Sequence, residues 1–288
     1  MGRDVSTNPI DENEEASMRR GWVTGTLGLV VLLTWVLSPS GVRAAASECV
    51  TPHVTVTISI GISYCMDPIF DPVIRSQVEK IRKDMKAQRE AGKLLAYSSV
   101  PISPRGGGYT DTNVDIAAAV KARLEKEYGG GVWVLNPALY QLPDVAGKAA
   151  GGGEYMVMWT TVIAGEDGGG RAFDMVHFLG PSDVRRFMGC RTAIVPCVER
   201  YLAARASTDA KFRADVADRP ERRREYVRFY SVRGSTAYSA GAHDEWNIFV
   251  RINRKLAIGD RVAMYFDGRP LSLAESEMEV SGGYELIP

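Results

Sequence analysis

Leu94-Leu95-Ala96-Tyr97-Ser98-Ser99-Val100-Pro101-Ile102-Ser103-Pro104-Arg105-Gly106-Gly107-Gly108 carries the pattern from which the architecture follows. Residues 94–100 are a short, mostly apolar run, and Pro101 with the glycine cluster closes it, so it predicts a buried strand ending in a tight loop. Directly behind it, Ile116, Val120 and Leu124 recur at helical spacing between Asn113 and Tyr128. Thr112 or Asn113 can cap that helix and Gly129 can end it. Val132-Trp133-Val134-Leu135, closed by Asn136-Pro137, is a second buried-strand run. A strand, a helix and a strand in that order make a right-handed crossover unit, which needs a parallel sheet.

The rhythm continues outward in both directions. Glu154 to Ala164 predicts a helix, Phe173 to Leu179 a third strand, Ala242 to Leu256 a helix and Arg261 to Phe266 a fourth strand. Met278 to Ile287 reads as a late strand, assigned to an antiparallel position. Residues 182–229 interrupt this alternation with charged helical sequence. Upstream, Val73, Ile74, Val78, Ile81 and Met85 define an amphipathic helix over Pro72 to Ala91, and His53 to Tyr64 alternates as a strand or extended arm. The expected fold class is α/β, a flavodoxin-like three-layer arrangement with a mostly parallel sheet. An N-terminal strand-helix extension occupies 47–92, and the main domain occupies 93–288 with a helical insertion at 182–229.

Composition narrows the classes of function. Lys+Arg and Asp+Glu both total 35, 45% of residues are hydrophobic and 24% charged. That balance excludes a disordered chain, a multi-span membrane protein and a strongly basic nucleic-acid binder. Arg19-Arg20, the apolar run Gly21 to Leu37, Ser38-Pro39-Ser40-Gly41 and Ala44-Ala45-Ala46 are the parts of a cleavable signal peptide over 1–46, with twin-arginine features. The alternative is a membrane anchor, for which the run falls slightly short of the roughly 20 residues a span needs. Export places Cys49, Cys65, Cys190 and Cys197 in an oxidising compartment. Three pairings are open, and proximity favours Cys49 with Cys65 and Cys190 with Cys197. His53, His177 and His243 are scattered and no Cys-x-x-Cys exists, so neither a metal nor another cofactor is expected.

In an open parallel sheet, ligands bind beyond the carboxyl ends of the strands. Two clusters fall there. Ser103, Arg105, Gly106 and Gly107 form a turn whose glycines permit close backbone approach, whose amides can face an anion and whose arginine can clamp one bidentately. Ser239, Gly241, Asp244 and Glu245 lead into the last long helix and bring two carboxylates to its start, either for chemistry or to neutralise the helix dipole. Arg222-Arg223-Arg224 with Tyr226, Arg228, Phe229 and Tyr230 mixes basic and aromatic residues as an RNA surface does. Glu221 and Glu225 within the run favour a solvated helix leading into a strand. His177 reads as packed, Asp183 as a helix cap, and Met156, Met158 and Trp159 as core.

Together the two clusters resemble the nucleoside 2-deoxyribosyltransferase superfamily, and within it the 2'-deoxynucleoside 5'-phosphate N-hydrolases. That branch carries Ser-x-Arg-Gly-Gly after its first strand and Ser-x-Gly-x-x-x-Glu at its catalytic helix. The likeness covers roughly residues 93–181 and 236–267. It implies that Glu245 is a nucleophile attacking the sugar C1', and that Ser103, Arg105, Gly106, Gly107 and Ser239 hold a 5'-phosphate or sugar hydroxyls. Asp244 would then raise a carboxyl pKa through like-charge coupling. The implied ligand is a small nucleoside or nucleotide, not a nucleic-acid polymer, and a homo-oligomer stays open. The chain departs from the pattern at Glu245-Trp246-Asn247, where the family has Glu-x-Gly, and in the helix before the third strand, where Glu154 is the nearest acid. Two alternatives therefore stand beside the enzyme. One is an exported non-catalytic protein that binds a small anion or a partner, and the other a hydrolase of a nucleotide-derived messenger or envelope sugar.

Overall fold

The computed structural model describes residues 49–166, 168–191 and 194–286, all within one compact unit; the expected signal peptide lies outside the described residues. In chain order the elements are β1 (Val54–Thr57), β2 (Ser63–Met66), α1 (Asp71–Glu90), β3 (Leu94–Ser99), α2 (Thr110–Glu127), β4 (Val132–Leu135), α3 (Gly152–Ala164) and β5 (Met175–Phe178). There follow α4 (Pro181–Phe187), α5 (Ile194–Thr208), α6 (Ala210–Phe212), α7 (Pro220–Arg228), α8 (Ala240–Lys255), β6 (Ala263–Phe266), β7 (Arg269–Pro270) and α9 (Leu273–Ser276).

The main sheet has the order β4-β3-β5-β6-β7, parallel throughout except for β7, which pairs antiparallel with β6. This is the flavodoxin-like order, with the chain reversing its winding direction between β3 and β5. The period of two along each strand sorts side chains onto two faces. Leu95 and Tyr97 of β3, Val176 and Phe178 of β5, and Met264 of β6 pack with α1, α3 and α8. Ala96, Val132, Val134 and Met175 pack on the opposite face with α2, α4, α5 and α7. The result is a three-layer α/β domain.

Several expectations are corrected. Residues 53–64 do not form one strand: Gly61, at φ +85°, lets the chain reverse, and β1 and β2 pair as an antiparallel hairpin. Within the 47–92 extension, Ile74, Val78, Ile81 and Met85 place α1 in the same layer as α3. Helix α2 starts at Thr110, not Asn113, so neither Thr112 nor Asn113 caps it; both are buried within it. Val198, Leu202, Phe212, Tyr226, Phe229 and Tyr230 cover the sheet face that α2 alone would leave half open. The aromatic residues of the basic run, Tyr226, Phe229 and Tyr230, are therefore core, and the run continues into a π-helical turn, Phe229–Arg233, and not into a strand.

No strand forms over residues 278–286, because α8 side chains take up the segment's backbone groups. Asn247 exchanges two hydrogen bonds with Val280 (2.8 Å each), and Trp246 Nε1 donates to the Met278 carbonyl (2.7 Å). The cysteines pair as Cys49–Cys65 and Cys190–Cys197, the first tying the chain ahead of β1 to β2. Among the described residues no helix is long and apolar enough to cross a membrane.

Candidate active site

Tyr97 and Ser99 sit two apart on β3 and so point to the same face of the sheet, the one that α8 covers. Glu245 meets them there. The Tyr97 hydroxyl donates to Glu245 Oε1 and the Ser99 hydroxyl to Oε2, both at 2.5 Å. Each carboxylate oxygen is thereby fixed by one donor. Glu245 is only 7% exposed, and burial pushes its pKa from 4.5 to about 7; the two hydroxyls pull the other way, and Asp244 raises it by the smallest contribution. Burial also drives Tyr97 well above its ordinary range, so its hydroxyl stays protonated as a donor.

The Glu245 side chain lines a cavity of about 640 Å³ beyond the carboxyl end of β3. That volume lies within the roughly 300–1,000 Å³ range of small-molecule pockets. Ser103, Arg105, Ser239 and Gly241 line the same space, so five of the eight residues singled out from sequence converge on it. Ser103 shapes the turn, its Oγ accepting from the Arg105 amide at 3.3 Å. Asn113 braces it from below, donating to the carbonyls of Ile102 and Ser103 at 3.1 Å each. Ser239 is the N-cap of α8 and accepts from the Ala242 amide at 3.4 Å, so Ser239, not an acid, caps that helix.

Gly106, Gly107 and Asp244 do not line the cavity. Gly107 has φ +111°, and a Cβ there would meet the Glu225 carbonyl oxygen at 2.8 Å; Gly106 has φ +78° and lies beside Phe229. The glycine turn therefore receives α7, while the part of the motif that lines the cavity is Ser103 and Arg105. Asp244 points away from Glu245, as neighbours on a helix do, and accepts from the amides of Tyr284 (2.7 Å) and Glu285 (3.3 Å). Burial raises its pKa to about 6 against the pull of those amides.

Asp244, Asn247 and Arg251, at i, i+3 and i+7 on one face of α8, bind residues 279–285 as a strap alongside the helix. The strap lays Tyr284 at the cavity, where its hydroxyl accepts from Arg105 Nη1 at 2.9 Å. Gly152 exists for this contact, since a Cβ there would lie 2.3 Å from the Tyr284 ring. Asn247, standing where the resemblance expects glycine, holds the strap.

Glu154 is not a second acid in the cavity. Its carboxylate accepts from the amides of Asp67 (2.8 Å) and Gly151 (2.9 Å) at the start of α3. His177 and Asp183 form a buried pair at 2.9 Å that Arg123 completes, away from the cavity. Among the described residues no group of three His, Cys, Asp or Glu side chains is placed to hold a metal ion. Compared with protein-family models, curated proteins and solved structures, the chain matches none of them, so the case for its chemistry rests on this geometry and on the two motifs.

The arrangement can do specific work. A carboxyl with a pKa near neutrality is ionised in part at pH 7 and retains basicity, which suits a nucleophile or a general base. Arg105 stands at the exposed rim of the same cavity and can hold an anionic group while the floor carboxylate reacts.

Proposed function

We propose that the protein is an exported N-glycosidic bond enzyme of the nucleoside or nucleotide deoxyribosyltransferase type, with Glu245 as nucleophile. One observation carries the reading: a buried carboxylate held by two hydroxyls forms the floor of a cavity whose rim is an arginine turn. In the reaction, a Glu245 oxygen bonds to the sugar C1' as the bond from C1' to the base nitrogen breaks, and the base leaves with the bonding pair. Water, or a second base, then displaces Glu245 from C1', so configuration is retained overall. Tyr97 and Ser99 orient the carboxylate throughout. The two disulfides and the Gly21 to Leu37 run support export.

A second reading is a non-catalytic anion-binding protein of the same fold. It is favoured by Glu154 being committed to backbone amides, which leaves Glu245 as the one carboxylate lining the cavity among the described residues. Incubation with a panel of 2'-deoxynucleosides and their 5'-phosphates separates the two. The enzyme releases free base and Glu245→Gln does not; absence of release from every substrate, or equal release by the variant, removes the enzymatic reading.

A further inference from the structure

The cavity has a second cationic wall that neither motif anticipates. Arg233 ends the π-helical turn that follows α7, just before the chain bends at Gly234, and it lines the same cavity as Arg105 and Glu245. Widened turns of this kind recur at functional sites. Arg105 arrives from the loop after β3, and Arg233 from the far end of the insertion. Both are exposed at the rim. Among the described residues neither guanidinium pairs with a carboxylate: that of Arg105 donates to the Tyr284 hydroxyl alone, and that of Arg233 has no hydrogen-bond or ion-pair partner. The part-buried Arg123, Arg205 and Arg251, by contrast, are each neutralised by acids. Among the described residues the only acid lining this cavity is Glu245, on its floor.

A guanidinium is a planar fork that matches one phosphoryl group bidentately. Two forks on separate walls, without a carboxylate between them, match two linked phosphoryl groups better than one. We infer that the rim formed by Arg105 and Arg233 is a diphosphate subsite, and that the ligand class is a nucleoside diphosphate or a pyrophosphate-linked nucleotide. Its diphosphate lies across the two arginines with the nucleoside reaching inward toward Glu245, past the rings of Tyr155 and Trp159. This rests on the cavity of the preceding section being the ligand site, but not on its being catalytic.

Calorimetric titration at fixed ionic strength tests it, using inorganic pyrophosphate, thymidine 5'-diphosphate and thymidine 5'-monophosphate on the wild type, Arg233→Gln and Glu245→Gln. The wild type should bind the diphosphate at least about tenfold more tightly than the monophosphate, as expected for a second bidentate charged contact. Arg233→Gln should erase most of that difference, costing about tenfold for both diphosphate ligands and less than about threefold for the monophosphate. Glu245→Gln should retain the preference. Equal wild-type affinity for the monophosphate and diphosphate, or an Arg233→Gln that weakens both alike or neither, overturns the subsite. Base release without a diphosphate preference would refute this inference and leave the enzymatic reading intact; a diphosphate preference without base release would do the reverse.

Discussion

Replacing Glu245 by glutamine should stabilise the protein, and by an amount that depends on pH. The carboxyl titrates at about 7 when folded against 4.5 ordinarily, so its ionised form is disfavoured by the fold. A folded pKa raised above the unfolded value gives stability that is fully present below the unfolded pKa and lost as pH rises through the folded one. Integrated across that window, ionising Glu245 costs the wild type about 1 kcal/mol at pH 5 and about 3 kcal/mol at pH 8. Glutamine has the same shape and no charge, and Tyr97 and Ser99 can meet it as one donor and one acceptor. The variant should therefore exceed the wild type by about 3 kcal/mol at pH 8, shrinking to about 1 at pH 5. For a chain of this size that is roughly 6–12 °C in Tm at pH 8 and roughly 2–4 °C at pH 5. Thermal melts of the two proteins across pH measure it, and the groups common to both cancel. A gap that does not change with pH, or a variant less stable at pH 8, would refute the reasoning.

Three further outcomes follow from named contacts. If Glu245 reacts as an anion, base release rises with pH through an apparent pKa near 7; Tyr97→Phe removes a donor to that anion and should move the limb upward by about one unit, read from kcat/KM profiles. Gly153→Ala should cost at least about 1–3 kcal/mol in urea denaturation, because its Cβ would sit 1.9 Å from the Cys65 carbonyl oxygen, whereas Gly259→Ala, with open space around it, should fall within about 0.5 kcal/mol of wild type. Asp244→Asn leaves one acceptor for two strap amides, and the Tyr284 and Glu285 amides should then exchange hydrogen roughly fivefold faster, with protection unchanged in β3.

Much of the fold was legible because burial writes itself into local pattern. The β3, β4 and β5 runs are mostly apolar and buried on both faces, and α1 and α8 carry apolar stripes at helical spacing, so the α/β alternation and its layering follow from sequence. What local pattern cannot register is a partner distant in the chain. The His53 to Tyr64 alternation reads as one strand or extended arm, and Gly61 marks where it folds back. The helix expected from Glu154 begins at Gly152, because the Tyr284 ring and the Cys65 carbonyl leave room only for glycine at Gly152 and Gly153, residues that weaken a helix in sequence terms. Residues 278–286 carry a strand-like pattern, but Asp244 and Asn247 spend their amides elsewhere.

The site was legible in the same uneven way. Glu245, Arg105, Ser103, Ser239 and Gly241 came from motifs and meet in one cavity. Gly106 and Gly107 were read as an anion cradle, and nothing near them in sequence reveals that Glu225, more than a hundred positions on, fills the space. Tyr97 and Ser99 were passed over, although two polar residues on one face of a buried strand are a readable sign that something polar lies opposite. Arg233 and the strap had fainter signals. The spacing of Asp244, Asn247 and Arg251 marks a polar stripe on α8, but its occupant is set by tertiary structure alone.

The central claim is that Glu245 bonds covalently to the sugar of its ligand. A 2'-fluoro-substituted 2'-deoxynucleoside, or its 5'-phosphate, slows the second displacement more than the first and lets the intermediate accumulate. Intact-protein and peptide mass spectrometry should then show the fluorosugar added once, on the peptide that carries Glu245, and not in Glu245→Gln. Free base released by the wild type with no adduct on that peptide, or an adduct on another residue, would contradict the account.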